Sequence, residues 1–155
     1  MRIQKHIFFL VPFLLFCFGC TKSMRPLNIP KAENIRSIVI EHQQRVASDD
    51  RILREPVVII NDDKSIQEFI HFLNATNNNW SQPFDTFPGG LYFITLNDSA
   101  NQPLIRMWVG ANWIAGRNLE DDAHGNRLRR LSEEESANLY RLLKIPKERA
   151  DKHDF

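Results

Sequence analysis

Apolar residues follow two spacings along this chain, and each predicts a different element. Alternation with period two makes one face of a strand apolar, and a spacing of three and four makes one stripe of a helix apolar. In 34–41, Ile38 and Ile40 fall on one side, with Ser37, Val39 and Glu41 on the other, which predicts a strand. The polar stretch 43–55 carries a turn signal at Ser48-Asp49-Asp50 and reads as the end of a hairpin or as a longer loop. A second short strand, 57–60, starts after Pro56, a residue suited to a strand start or an edge. Ile66, Phe69, Ile70 and Leu73 then sit at i, i+3, i+4 and i+7 and predict a helix ending near Asn74. Ser65 and Glu68 have capping-box spacing, and Asp62 or Asp63 would cap one turn earlier. Asn77-Asn78-Asn79 stops the helix, because asparagine competes for backbone hydrogen bonds.

The second half of the chain is richer in strands. The stretch 80–90 holds Pro83, Pro88, Gly89 and Gly90 and reads as a loop, yet it carries Trp80, Phe84 and Phe87. Strands are predicted at 91–96 and 103–109, joined by the polar turn 97–102 as a hairpin. In the later of these, Ile105, Met107 and Val109 share one face, and Leu104, Arg106 and Trp108 share the other. Arg106 marks its face as the wetter one, since burying an unpaired guanidinium is costly. Gly110-Ala111-Asn112 turns the chain into a fifth strand beginning at 113–115. After a polar, acidic stretch at 116–126, 128–131 leads into Ser132-Glu133-Glu134-Glu135, a second capping signature whose glutamates suit the positive end of a helix dipole. Leu139, Tyr140 and Leu143 give that helix its apolar side, and Pro146 ends it. The prediction is a small α+β domain with about five antiparallel strands in the order ββαβββα. A sheet with one apolar face needs cover on that side, so both helices should pack there.

The amino-terminal end follows neither period. Arg2 and Lys5 precede an apolar run at 7–18, then Gly19 and Cys20. A run of about a dozen apolar residues is short of the roughly 20 that span a bilayer as a helix, and fits the apolar core of a secretory signal. With Cys17-Phe18-Gly19-Cys20 at its end, the segment resembles a bacterial lipoprotein signal. The resemblance implies cleavage before Cys20, a diacylglyceryl group on its thiol and acylation of the new amino terminus. Thr21 follows where an aspartate favours inner-membrane retention in such proteins, which leans toward the outer membrane, facing the periplasm. The alternative is an ordinary signal peptide cut near Gly19 or Ser23. The expected organisation is a signal at 1–19, a lipidated Cys20 with a proline-bearing tether to residue 33, one domain at 34–146, and a charged tail at 147–155.

Composition narrows the function. The 155 residues hold 20 basic and 19 acidic side chains, a formal charge of +1 that gives no electrostatic reason to expect nucleic acid. Both cysteines, Cys17 and Cys20, lie at the signal, so the domain is expected to lack disulfides, thiolate metal sites and a cysteine nucleophile. His42, His71, His124 and His153 are not at metal-ligand spacing, and no HExxH, GxSxG or SxxK occurs. No metal, cofactor or catalytic residue is therefore assigned. The best candidates are aromatic: Trp80 in its loop, and Trp108 and Trp113 flanking a hairpin turn, with Arg106 beside Trp108. Exposed aromatics with an arginine are what a binding patch is made of, for an envelope protein or a cell-wall glycan. The same rings would otherwise cover the open sheet face or cap the core. The reading that results is a lipid-anchored envelope protein acting as a small binding or adaptor domain. The alternatives are a metal-dependent envelope hydrolase using His124, Asp121 and Asp122, and a purely structural lipoprotein.

Overall fold

In the computed structural model, the described residues are 25–45, 51–81, 91–119 and 125–147. The signal segment, Cys20, the aromatics Phe84 and Phe87, the acidic cluster 120–124 and the tail beyond 147 lie outside them. The described chain is an α+β domain. Strands β1 (Ser37–Arg45), β2 (Ile52–Ile60), β3 (Tyr92–Asn97), β4 (Pro103–Gly110), β5 (Trp113–Asn118) and β6 (Arg127–Arg130) form one sheet in the order β2-β1-β3-β4-β5-β6. Every neighbouring pair is antiparallel. Helices α1 (Asp63–Ala75) and α2 (Glu133–Leu142) complete the domain.

Register explains the core. Ile38, Leu96 and Ile105 lie opposite one another across three strands, as do Ile40, Ile94 and Met107, and each of these side chains is fully buried. Ile66, Phe69, Ile70 and Leu73 of α1 and Leu139 and Tyr140 of α2 join the same cluster. The two helices run antiparallel: Lys144, after α2, lies 3.5 Å from Asp62 at the start of α1. Asp62 caps α1 by accepting from the Ser65 N–H at 2.8 Å, so the earlier of the two sequence alternatives holds and Ser65 is the capped residue. The predicted capping box at Ser132 and Glu135 is complete. Tyr140 and Ser136 donate hydroxyl hydrogen bonds to the carbonyls of Gly110 and Ala111, which pins α2 to the β4–β5 turn.

Three boundaries differ from the sequence reading. The β1–β2 hairpin is longer, because its ladder continues past the end of β3: pairing of β1 with β3 stops at His42 and Tyr92, while β1 and β2 stay paired to Arg45 and Ile52. Without a third strand or a helix over it, that arm has no reason to alternate. Strand β5 runs on through Gly116, Arg117 and Asn118. The sixth strand, β6, hides behind an inverted pattern, with Arg127 and Arg129 on the helix side, only 2% and 8% exposed, and Leu128 on the other face.

The chain entering the sheet is stitched down by two asparagines. Asn77, just past α1, accepts from the Leu27 N–H at 3.0 Å and donates to the Leu27 carbonyl at 2.8 Å. Its carbonyl oxygen also accepts from the Trp80 indole at 2.8 Å. Asn118 makes the same paired bonds to the backbone of Asn28, at 3.0 and 2.7 Å. Leu27 is buried against β5, where a Cβ on Gly116 would come within 2.7 Å of its Cδ1, so a larger residue at 116 would force the Leu27 side chain to shift. Asn77→Ala removes three hydrogen bonds in a part-buried site and should lower stability by about 2–3 kcal/mol in urea unfolding. Limited proteolysis should then cut within 25–35 before the sheet opens. Unchanged stability and protection would show that the stitch contributes nothing.

Candidate functional site

The helices cover one face of the sheet, so the chemistry available to a partner lies on the other. Alternation places Val39, Glu41 and Gln43 of β1, Arg54 and Ile59 of β2, Phe93 and Thr95 of β3, Arg106 and Trp108 of β4, Trp113, Ala115 and Arg117 of β5, and Leu128 and Arg130 of β6 on this open face. Arg106 lies directly opposite Arg117, with Thr95 on its other side. Trp108 lies between Phe93 and Ala115.

Part of this face is buried. The Trp108 ring meets the Phe93 ring edge-on, with centroids 5.2 Å apart. The Arg54 guanidinium sits 3.7 Å above the Phe93 centroid, a cation–π contact, and its Nε donates to Gln43 at 3.2 Å. Trp113 lies over its cross-strand partner Gly110, where an added Cβ would fall within 2.3 Å of the indole. Phe93, Ala115 and Trp113 are buried, although they point away from the helices. The rest is open: Arg106 is exposed, and Val39, Thr95, Arg117 and Trp108 are half-buried. Along the β2 edge, Ile52, Val57 and Ile59 are 54%, 42% and 62% exposed.

The four sequence candidates therefore separate. Arg106 and Trp108 are neighbours on the accessible face. Trp113 shares that face but is spent on covering Gly110. Trp80 is 3% exposed, belongs to the main core cluster and donates its indole N–H to Asn77, so it caps the core and offers nothing to a partner. Cys20 lies outside the described residues. Sequence reasoning missed Arg117 and Arg54, because both lie in segments read as loops. Their signal is only the extra reach of β5 and of the hairpin arm.

Charge divides between the two layers. Among the described residues, the open face carries Arg54, Arg106, Arg117 and Arg130, and Glu41 as an acid. The helices and their caps carry Asp62, Asp63, Glu68, Glu133, Glu134 and Glu135 against Lys64, Arg141 and Lys144. Of the two arginines that β6 turns to the helix side, Arg129 meets the acids at the start of α2. Arg129 reaches Glu135 at 2.6 Å, and Glu135 also accepts from the Ser132 N–H at 2.8 Å. The Arg129 hydrogen bond chiefly holds the Glu135 carboxyl below its ordinary value, with the Ser132 N–H adding to it.

Among the described residues no group of histidine, cysteine, aspartate and glutamate is placed to hold a metal ion, and no helix is long and apolar enough to cross a membrane. His71 is exposed on α1. The proposed hydrolase residues Asp121, Asp122 and His124 lie outside the described residues. Comparison of the chain with protein-family models, curated proteins and solved structures finds no match.

The depressed carboxyl of Glu135 sets an acid limb of stability. A group whose pKa is lower folded than unfolded stabilises the fold above its unfolded value and loses that contribution as the pH falls through the folded one. Stability should therefore decline as the pH drops below about 4.5, the ordinary value for this carboxyl. Glu135→Gln should flatten that part of the decline in urea unfolding measured across the acid range. An identical slope in the variant would remove Glu135 from the balance.

Proposed function

We propose that this chain is a lipid-anchored envelope protein whose domain acts as a small binding or adaptor module, with the accessible half of the open sheet face as its contact surface. The observation that carries the reading is the pairing of exposed Arg106 with half-buried Trp108 on neighbouring positions of that face, with Arg117 opposite Arg106. Tryptophan and arginine are among the residue types that most often carry binding energy at interfaces. The anchor rests on the sequence: the basic start, the short apolar run and Gly19-Cys20. Several acyl chains would hold the protein to the membrane far more firmly than one.

Two measurements test the reading. Mass spectrometry of the mature amino terminus should find Cys20 carrying a diacylglyceryl group and an acylated amine; an unmodified terminus removes the anchor. A photo-crosslinking residue at position 95, between β1 and Arg106, should give a reproducible adduct with an envelope component in intact cells. Changing Arg106 and Trp108 together to alanine should abolish the adduct and shift Tm by only a few degrees, because neither residue belongs to the core cluster. Absence of any adduct from the unaltered face would refute the binding role.

A further inference from the structure

We infer that β2 is a docking edge for a second copy of this chain, whose own β2 pairs antiparallel along it so that the two sheets run on as one. This edge lies apart from the Arg106–Trp108 contact surface. The two margins of the sheet differ. At β6 the margin is occupied by Ser81, whose N–H donates to the Leu128 carbonyl and whose carbonyl accepts from the Leu128 N–H, both at 2.9 Å. At the opposite margin, no described strand pairs with β2 on its outer side. The large aliphatic side chains that stand exposed among the described residues, Ile52, Leu53, Val57 and Ile59, all belong to β2 and are between 42% and 62% exposed. They do not share a face: the register with β1 puts Ile52 and Ile59 on the open side and Leu53 on the helix side. A partner lying flat on either side would cover one set and leave the other in water. A strand added along the edge meets both, because its own side chains alternate between the same two sides.

Register also tells which backbone groups are turned outward. The Gln43 N–H donates to the Leu91 carbonyl, so Gln43 turns its backbone to β3, and its neighbours His42 and Gln44 turn theirs to β2. Their partners Glu55 and Leu53 are engaged by β1, which leaves the N–H and carbonyl of Ile52 and Arg54 at the outer edge. Val39, four residues before Gln43, also turns to β3, so Ile59 opposite it presents its groups outward. Pro56, opposite Glu41, belongs to the same outward set and has a carbonyl but no N–H. Val57 is the extra residue at the register shift between the Val58 and Pro56 pairs.

Set antiparallel to itself about Glu55, this edge is self-complementary. Ile59 comes opposite the copy's Ile52 on the open side, Val58 comes opposite the copy's Leu53 on the helix side, and Pro56 comes opposite the copy's Arg54, with Val57 bulged out. Sides, apolar positions and outward backbone groups match together, for roughly six new backbone hydrogen bonds. Arg54 contributes only its backbone, so its guanidinium stays over Phe93. A proline and a bulge blunt an edge against indiscriminate pairing. In this register they fall near the middle and leave both ends to pair. One contact opposes the association: Glu55 meets the copy's Glu55, and like charges directly opposite one another destabilise a strand pair.

Photo-crosslinking of the full chain in intact cells tests the pairing. A photoreactive residue at position 52 should give an adduct of twice the chain mass, with the link mapped by mass spectrometry to 57–60 of the copy. The same residue at position 130, beside the occupied margin, should give no adduct of that mass. Ile59→Lys and Leu53→Lys, on opposite sides of the strand, should each cut the yield at least about tenfold, because a charge on either side of a paired edge disfavours it. Each should shift Tm by only a few degrees, since the two side chains are 62% and 51% exposed. Glu55→Gln should raise the yield roughly twofold by removing the opposed charges. An adduct to a different protein would give the edge to another occupant and overturn self-pairing. A doubled mass linked outside 57–60, or no adduct at all, would overturn it as well. An adduct at position 95 reports on the open face alone, so the two surfaces fail separately.

Discussion

The single-sided burial of an antiparallel sheet governs this domain. Aliphatic side chains of β1, β3 and β4 stand in register on one face, and α1 and α2 close over them. Because side chains alternate along a strand, that choice of face also determines what stands on the other. Once Ile105, Met107 and Val109 are committed to the core, Arg106 and Trp108 must point outward. The candidate surface is thus a by-product of core formation, built on rigid strands and not on loops. Its side chains hold fixed spacings whatever they meet.

How far the chain could be read without a structure follows from the same constraint. The strands at 34–41, 91–96 and 103–109, which build the core under the helices, were legible to within a few residues. The capping box at Ser132 and the apolar stripe of α1 were legible because they are local. Legibility fails where the cover stops. Gln44 and Leu53 lie in the two-stranded arm that outruns β3, so polar and apolar residues mix there without penalty. Strand β6 fails for a different reason. Its inward positions hold arginines, and Arg129 is tolerated because α2 brings Glu135 to it. A partner 6 residues away in sequence but on another element cannot be read from periodicity.

The candidate surface shows the same division. Arg106 and Trp108 were identifiable from one strand's alternation, since a buried guanidinium without a partner would be unfavourable there. Trp113 and Trp80 were not separable from them by type alone. Which indole is wet depends on what lies underneath: Trp113 has a glycine beneath it, and Trp80 has an asparagine within reach of its N–H. Both are answers to packing. The opposition of Arg106 and Arg117 needs register, which becomes visible only when two strands are paired.

The asparagine stitches at Leu27 and Asn28 have a mechanical consequence. Tension entering from the amino-terminal side reaches the Asn77 bonds and the Leu27 contact with Gly116 before it reaches β1. The Asn28 bonds to Asn118 stand next in series. A load applied there is borne first by two side-chain amides and a buried leucine, which yield one after another like a fuse, and the sheet is strained only after they have let go.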